Sequence, residues 1–112
     1  MNTLDKEPEA GLRYNEGKLR WSLMDYKAME PMILVLMYGA KKYTVEVDGK
    51  VIPGDNNWKK GLSLESLQDC MQRHLAAIMN GEEVDPESGL PHIGHLMCNA
   101  MMYSHFKQKE HG

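Results

Sequence analysis

Residues 69–99 read DCMQRHLAAIMNGEEVDPESGLPHIGHLMCN, and this stretch sets the architecture of the chain. Both of its ends have helical apolar spacing, and a turn-rich acidic segment lies between them. His92, His95 and Asn99 lie at i, i+3 and i+7, so on a helix they share one polar face beside an apolar one. The pattern predicts two buried helices joined by a turn that holds its carboxylates against this polar stripe. The four carboxylates are Glu82, Glu83, Asp85 and Glu87.

The two helices of this unit have recognisable ends. Ser63 is a suitable N-cap, and Asn80-Gly81 is a typical helix end, so the first helix should run from about Leu64 to Met79. The second should run from about Gly89 or Leu90 to Phe106, followed by a polar tail over residues 107–112. The predicted core face of the first helix consists of Leu64, Leu67, Met71, Leu75 and Ile78.

A third helix precedes this unit, with helical apolar spacing from about Asp25 to Lys42. Pro31 lies inside the pattern, so it either kinks the helix or marks its true start at Glu30-Pro31. Both possibilities remain open from the residues alone. Its predicted core positions are Met29, Met32, Ile33, Leu36, Met37 and Ala40.

Residues 44–52 alternate apolar and polar side chains on either side of Asp48-Gly49, which predicts a β-hairpin. The expected fold is therefore all-α, a compact bundle of three to four helices with a small hairpin insertion at about residues 44–54. Residues 1–12 are polar and aperiodic and should form a flexible arm. Residues 13–106 should form a single helical domain.

The composition limits the classes of function. A net charge of −3 disfavours binding to duplex nucleic acid, and no apolar run is long enough to span a membrane. Cys70 and Cys98 form no Cys-x-x-Cys pair, so we expect buried free thiols. A chain of 112 residues with ten Met and one Phe has a small, adaptable core, which favours self-association. No secretory leader is apparent, so we expect a cytoplasmic protein.

Several ordered motifs resemble a known family. They are RYNEGK (13–18), YGAKKY (38–43), NWKKG (57–61), RHL (73–75) and GEEVDPESGLPHIGH (81–95). Over about residues 12–105 the chain resembles the phage-associated family named dATP/dGTP diphosphohydrolase N-terminal domain. The resemblance also implies distant kinship with all-α nucleoside triphosphate pyrophosphohydrolases of the MazG type, which bind Mg²⁺ or Mn²⁺ between helices and form dimers or tetramers. The paired Glu-x-x-Glu and Glu-x-x-Asp motifs of those enzymes are absent from this chain.

If the protein is an enzyme, its carboxylates and histidines are the candidates for the chemistry. Hydrolysis of a dNTP would need a divalent cation, so we predict Asp69 and Asp85 as catalytic residues. The predicted ligands for Mg²⁺ or Mn²⁺ are Asp69, Glu82, Asp85, His92 and His95. Alternatively, Glu82 and Asp85 cap the helix that starts at about Gly89 or Leu90, while His92, His95 and Asn99 form a satisfied buried polar network.

Cations and aromatic residues supply candidate contacts to a nucleotide. Lys41, Lys42, Lys60 and Arg73 could bind phosphates, and Tyr43 and Trp58 could stack on a purine. The two adjacent lysines could instead complement a helix dipole, and Trp58 could simply pack between hairpin and bundle. The full predicted nucleotide-binding set is Arg13, Asn15, Lys18, Lys41, Lys42, Tyr43, Trp58, Lys60, Arg73 and Asn99.

Three functions remain open from the sequence. The resemblance favours a metal-dependent dATP/dGTP diphosphohydrolase, acting in the host cytoplasm if the protein is phage-encoded. The missing paired carboxylates favour a non-hydrolytic sponge for a host nucleotide immune signal, such as a cyclic dinucleotide or an ADP-ribose derivative; a sponge needs no metal. The third function is a non-catalytic assembly module. The expected partners are a purine nucleotide or nucleotide messenger and a second copy, as a homodimer or homotetramer.

Overall fold

The computed structural model describes residues 16–111, which contain three α-helices and one β-hairpin. The helices are α1 (Glu30–Lys42), α2 (Leu64–Met79) and α3 (His92–His111), and the strands are β1 (Val45–Val47) and β2 (Lys50–Ile52). Short 3-10 turns lie at Trp21–Leu23, Lys27–Met29 and Asn57–Lys60. The predicted helical fold with a hairpin insertion is confirmed, whereas the predicted arm at 1–12 lies outside the described residues.

The start of α1 is set by Pro31. Helix α1 begins at Glu30, so Pro31 occupies its first turn, where a missing N–H costs no hydrogen bond. Upstream, Asp25 Oδ1 accepts the backbone N–H of Ala28 at 3.2 Å, which stabilises the 3-10 turn before the helix. The later of the two predicted starts is therefore the correct one.

The hairpin forms where the sequence predicts it. Asp48 and Gly49 both have positive φ, 54° and 78°, as the two central residues of a type I′ turn require. At the base of the hairpin, Thr44 Oγ1 donates to Ala40 O at 2.7 Å and accepts the N–H of Gly54 at 3.0 Å. A Cβ on Gly54 would lie 2.5 Å from Ala40 O, so only glycine allows this close return of the chain.

The ends of α2 and α3 follow local sequence signals. Ser63 Oγ accepts the N–H of Ser66 at 3.2 Å, and Gly81 follows α2 with a φ of 89°, so both predicted ends of α2 are confirmed. Helix α3 begins at His92, later than expected, because Pro91 still pairs with Val84 in an isolated β-bridge. It also continues to His111, through most of the segment expected to be a polar tail.

Helix α3 packs against both α1 and α2 and lies between them. At the α1–α3 crossing, Gly94 lies directly against the backbone of Pro31. The core at this contact consists of Met32, Val35 and Cys98, with further Met and Leu side chains around it. Among the described helices, none combines the length and the apolar character needed to cross a membrane.

Several positions predicted as core are exposed. Ile33 and Met37 of α1 are 46% and 62% exposed, and Leu75 of α2 is 47% exposed. The prediction was wrong for these residues because, among the described helices, α1 and α2 each pack against α3 alone, which leaves the remaining sides of the helices uncovered. The core is correspondingly thin within the described part of the chain, where no side chain is less than 2% exposed.

Candidate functional site

A cavity of about 600 Å³ lies on one side of the three helices. Its walls come from α1, the Asn57–Lys60 turn, α2, the acidic connection between α2 and α3, and α3 itself. This volume is within the range of small-molecule sites. Its polar lining residues include Tyr38, Lys42, Tyr43, Asp55, Asn57, Trp58, Arg73, His74, Glu82, Asp85, Glu87, Ser88, His92, His95 and Asn99.

A first chain of hydrogen bonds joins the acidic connection to both helices. His92 is 4% exposed, and its Nε2 lies 2.7 Å from Glu82 Oε1. Its other ring nitrogen, Nδ1, lies 2.8 Å from Nδ1 of His74 on α2. The buried imidazole of His92 thus has a partner on each side, which offsets the cost of removing it from water.

A second chain starts at Asp85. The Ser88 hydroxyl donates to Asp85 Oδ2 at 3.1 Å and lies 2.7 Å from Nε2 of His95. The backbone N–H of Glu87 donates to Asp85 Oδ1 at 3.2 Å, and the N–H of Leu90 donates to Ser88 Oγ at 3.2 Å. These contacts fold the acidic connection tightly and fix Asp85 and Ser88 in the cavity wall.

The two chains meet at a pair of stacked imidazoles. The rings of His74 and His95 are nearly parallel, with an interplanar angle of 6° and a centroid separation of 4.5 Å. With neutral imidazoles, His92 Nε2–H donates to Glu82, His74 Nδ1–H donates to His92, and His95 Nε2–H donates to Ser88. This assignment follows from the partners and leaves the acceptor lone pairs on His74 Nε2 and His95 Nδ1.

Burial and neighbouring charges shift the protonation of this cluster. Burial, reinforced by His95 and His92, lowers the pKa of His74 below its usual 6.5. Burial also lowers the pKa of His95, outweighing the opposing effect of Asp85. For Asp85, burial opposes ionisation, but hydrogen bonds from Glu87 and Ser88 prevail and hold the pKa of this carboxyl below its usual value. At neutral pH the cluster therefore holds a carboxylate at Asp85 beside neutral imidazoles at His74 and His95.

Aromatic residues and a lysine form another part of the cavity wall. Trp58 packs edge-on against His105 and Phe106 of α3, with centroid distances of 4.9 and 6.0 Å. Lys42 Nζ lies 5.6 Å from the ring of Tyr43 and 6.0 Å from that of Tyr38. On α2, Arg73 Nη2 donates to Cys70 Sγ at 3.1 Å, next in sequence to His74.

The cavity brings together some of the predicted residues and not others. Lys18, Lys41, Lys60 and Asp69 are exposed and do not line it. Arg13 and Asn15 lie outside the described residues. The predicted residues that do line it are Lys42, Tyr43, Trp58, Arg73, Glu82, Asp85, His92, His95 and Asn99.

The predicted metal ligands do not form a preassembled metal site. Within residues 16–111, no three His, Cys, Asp or Glu side chains are arranged so that they could hold a metal ion. Asp69 does not reach the cavity, and Glu82 and Asp85 bond to different parts of the histidine cluster. Cys98 offers no thiolate ligand at neutral pH, because burial raises its pKa to about 11. The donor atoms as arranged fit a hydrogen-bonded network better than a coordination shell.

His74 and Ser88 are site residues that the predicted set lacks. His74 contacts His92, and Ser88 contacts His95. Neither contact is indicated by spacing along the sequence. One signal was available, because Cys70, Arg73, His74 and Ala77 lie at i, i+3, i+4 and i+7 of α2 and all line the cavity. Arg73 and His74 are the two polar residues of this face, so the predicted role of Arg73 also indicated its neighbour His74.

Comparison with known proteins places the chain in a family. Residues 8–112 match the family described as dATP/dGTP diphosphohydrolase, N-terminal. A protein of Salmonella phage PMBT28 named dATP/dGTP diphosphohydrolase is 32% identical over 91 residues. That match covers 81% of this chain but 28% of the phage protein, so the chain spans less than a third of its relative. No solved structure matches the chain at a significant level. The chain therefore belongs to the dATP/dGTP diphosphohydrolase N-terminal family.

Proposed function

We propose that the cavity binds a purine deoxynucleoside triphosphate and that the protein hydrolyses it to the monophosphate and pyrophosphate. One observation carries this proposal: a single cavity contains aromatic rings, two cations and a hydrogen-bonded cluster of imidazoles and carboxylates. The name of the phage relative supports the same substrate class. The rings of Trp58 and Tyr43 would bind the base, while Arg73 and Lys42 would offset phosphate charge.

The histidine cluster supplies a base for the reaction. In this hydrolysis, water attacks the α phosphorus. The bond from that phosphorus to the oxygen bridging the α and β phosphates breaks, and pyrophosphate leaves with the bonding electron pair. The attacking water must lose a proton, and His74 Nε2 is positioned by its bond to His92 to accept it. The lowered pKa of His74 keeps this nitrogen unprotonated at neutral pH. We assign His74 as general base and His92 and Glu82 as the residues that position it.

The same cavity bears on how a divalent cation would take part. Among the side chains that the structure describes, no three His, Cys, Asp or Glu residues are arranged to hold a metal ion. Mg²⁺ commonly enters such sites already bound to substrate phosphates. We propose that any dependence on Mg²⁺ or Mn²⁺ is of this kind, and that Asp85 of the cavity wall would hold a cation brought in by the substrate.

A second candidate function is sequestration without cleavage. The absence of a three-ligand metal set among residues 16–111 favours it, because a sponge needs affinity and no activated water. Its ligand would be a nucleotide signal such as a cyclic dinucleotide or an ADP-ribose derivative. The same rings and cations would bind it.

The deciding experiment is incubation with dNTPs, NTPs, cyclic dinucleotides and ADP-ribose, with Mg²⁺, Mn²⁺ or EDTA, followed by denaturation and chromatography. Appearance of dAMP or dGMP with pyrophosphate establishes hydrolysis. Recovery of an intact nucleotide after denaturation establishes sequestration. If no nucleotide is hydrolysed and none is bound, both proposals are overturned.

Matched variants test the assignment of residues. Lys42→Ala should weaken nucleotide binding roughly tenfold or more, as expected for loss of one charge-assisted contact of about 1.5–3 kcal/mol. Lys41→Ala removes the same charge from the neighbouring residue, which does not line the cavity, and should change affinity little. His74→Gln should abolish turnover while retaining binding. Equal effects of the two lysine variants would contradict the placement of the nucleotide.

A further inference from the structure

We propose that Asp55 makes the cavity select guanine over adenine, an inference that rests on the nucleotide-binding function proposed above. Asp55 and Asn57 line the cavity together with Trp58 and Tyr43, the two rings assigned to the base. The four residues come from the end of α1 and from the segment that joins the hairpin to α2. This part of the wall therefore holds hydrogen-bonding side chains beside aromatic rings.

The segment from Gly54 to Trp58 is held at both of its ends. At one end, Gly54 is buried against the backbone at the end of α1, and its N–H donates to Thr44 Oγ1 at 3.0 Å. At the other end, the Trp58 ring packs against two rings of α3. Between these ends, the N–H of Asn57 donates to Gly54 O at 3.1 Å and closes a turn. The backbone that carries Asp55 is therefore fixed relative to both α1 and α3.

The carboxylate of Asp55 differs from the other carboxylates in the cavity wall. Glu82 and Asp85 bond within the histidine cluster, and Glu87 belongs to the same acidic connection. Within residues 16–111, the Asp55 carboxylate has no hydrogen-bond or ion-pair partner. Both of its oxygens can therefore accept hydrogen bonds from a ligand.

The donors and acceptors of the purine bases explain the expected selectivity. Guanine carries two donors side by side, N1–H and the N2 amino group, and the two oxygens of one carboxylate can accept both of them. Adenine has an acceptor at N1 and no amino group at C2, so the same carboxylate would face a lone pair. A bidentate pair of this kind favours the matching base by roughly tenfold to a hundredfold in affinity.

Asn57 suits the next position on the same edge of the base. Its side chain is half-buried, and its amide has no partner within the described part of the chain. The amide N–H could donate to O6 of guanine, which lies next to N1. Adenine has an amino group at this position, which the amide oxygen could accept equally well. The discrimination between the two purines therefore rests on Asp55, two residues earlier in the turn.

The test is the affinity for the α,β-methylene analogues of dGTP and dATP, measured by isothermal titration calorimetry with Mg²⁺. The methylene group replaces the oxygen at the bond that would be cleaved, so binding is measured without turnover. The wild-type protein should bind the guanine analogue roughly tenfold to a hundredfold more tightly than the adenine analogue. The corresponding inosine analogue keeps N1–H but lacks the N2 amino group, so its affinity should lie between the two.

Asp55→Asn keeps the shape of the side chain but replaces one acceptor oxygen and the charge by an amino group. The affinity for the guanine analogue should fall to about that for the adenine analogue. Asp48→Asn is the matched control, since it makes the same change at the hairpin turn, outside the cavity, and should keep the preference for guanine. Asparagine tolerates the φ of 54° at position 48, and circular dichroism verifies that both variants fold.

Several results would overturn the inference and leave the proposed function standing. They are equal affinity of the wild-type protein for the two analogues, tighter binding of the adenine analogue, and an unchanged preference in Asp55→Asn. An equal gain in affinity for both analogues in this variant also overturns it, because the carboxylate would then act only by repelling phosphates. If neither analogue binds, the proposed function is overturned together with the inference, so the two failures are distinguishable.

Discussion

Replacement of Gly94 by alanine should destabilise the protein although it improves helix propensity. A Cβ at this position would lie 2.7 Å from the carbonyl carbon of Pro31 and 3.1 Å from Val35 Cγ2. Carbon atoms in contact need roughly 3.5–4 Å, so α3 must move away from α1 by close to an ångström. The obstacle is backbone at the first turn of α1, which cannot rotate aside as a side chain would.

The expected magnitude follows from two opposing terms. Overpacking of this kind costs about 1–3 kcal/mol, whereas replacing glycine by alanine within a helix returns up to about 1 kcal/mol. The difference between these terms is about 0–2.5 kcal/mol. Because the obstacle is backbone, the free energy of unfolding should fall by the upper part of this range, about 1–2 kcal/mol. Gly39 of α1 is the matched control, because a Cβ there meets no atom within 4 Å, and Gly39→Ala should stabilise the protein by about 0.5–1 kcal/mol.

Urea denaturation followed by circular dichroism at 222 nm, the usual helical signal, measures both variants under the same conditions. Opposite signs for the two variants are the expected result. If Gly94→Ala were as stable as the wild-type protein, the close crossing of α1 and α3 would be refuted. A loss in Gly39→Ala similar to that in Gly94→Ala would show that general helix effects, and not the crossing, cause the change.

Two further predictions concern the histidine cluster. Glu82→Ala leaves the buried Nε2 of His92 without its partner and should lower the free energy of unfolding by about 1–3 kcal/mol; Glu83→Ala, at an exposed neighbour, should change it by less than about 0.5 kcal/mol, and equal losses would contradict the assignment. Since His74 and His95 have pKa values below 6.5 in the folded chain, the unfolded chain binds more protons as pH falls through 6.5. The urea concentration at the unfolding midpoint should therefore decrease as the pH is lowered from about 7.5 to 5.5. An unchanged midpoint would contradict this.

Local signals in the sequence predict much of the fold. Ser63 and Gly81 mark both ends of α2, and Asp48-Gly49 marks the hairpin turn, because caps and turns depend on a few neighbouring residues. The start of α3 was less predictable, since it depends on the pairing of Val84 with Pro91. Apolar periodicity correctly predicted the helices but not the exposed side of each one, because exposure depends on the number of neighbouring helices.

The site was predictable to a smaller extent. The sequence indicates His92 and His95 as members of one helix face, and both line the cavity. It does not indicate that His74 stacks on His95, because that contact depends on how α2 crosses α3. Lys42 lines the cavity and Lys41 does not. These adjacent lysines differ only in the direction in which they leave the helix. Candidate residues can thus be predicted from type and spacing, whereas their convergence requires the tertiary structure.

The hydrogen bond from Gly54 N–H to Thr44 Oγ1 closes the base of the hairpin, so the hairpin can change without altering the rest of the fold. The chain leaves the end of α1 and returns to the same point, so the intervening residues can change in length without moving either attachment. The hairpin could be replaced by a shorter loop, or a foreign peptide could be inserted at its Asp48-Gly49 turn. In either case Trp58 would keep its packing against α3. The hairpin is thus a natural place for this protein to acquire a label, an epitope or a new binding surface.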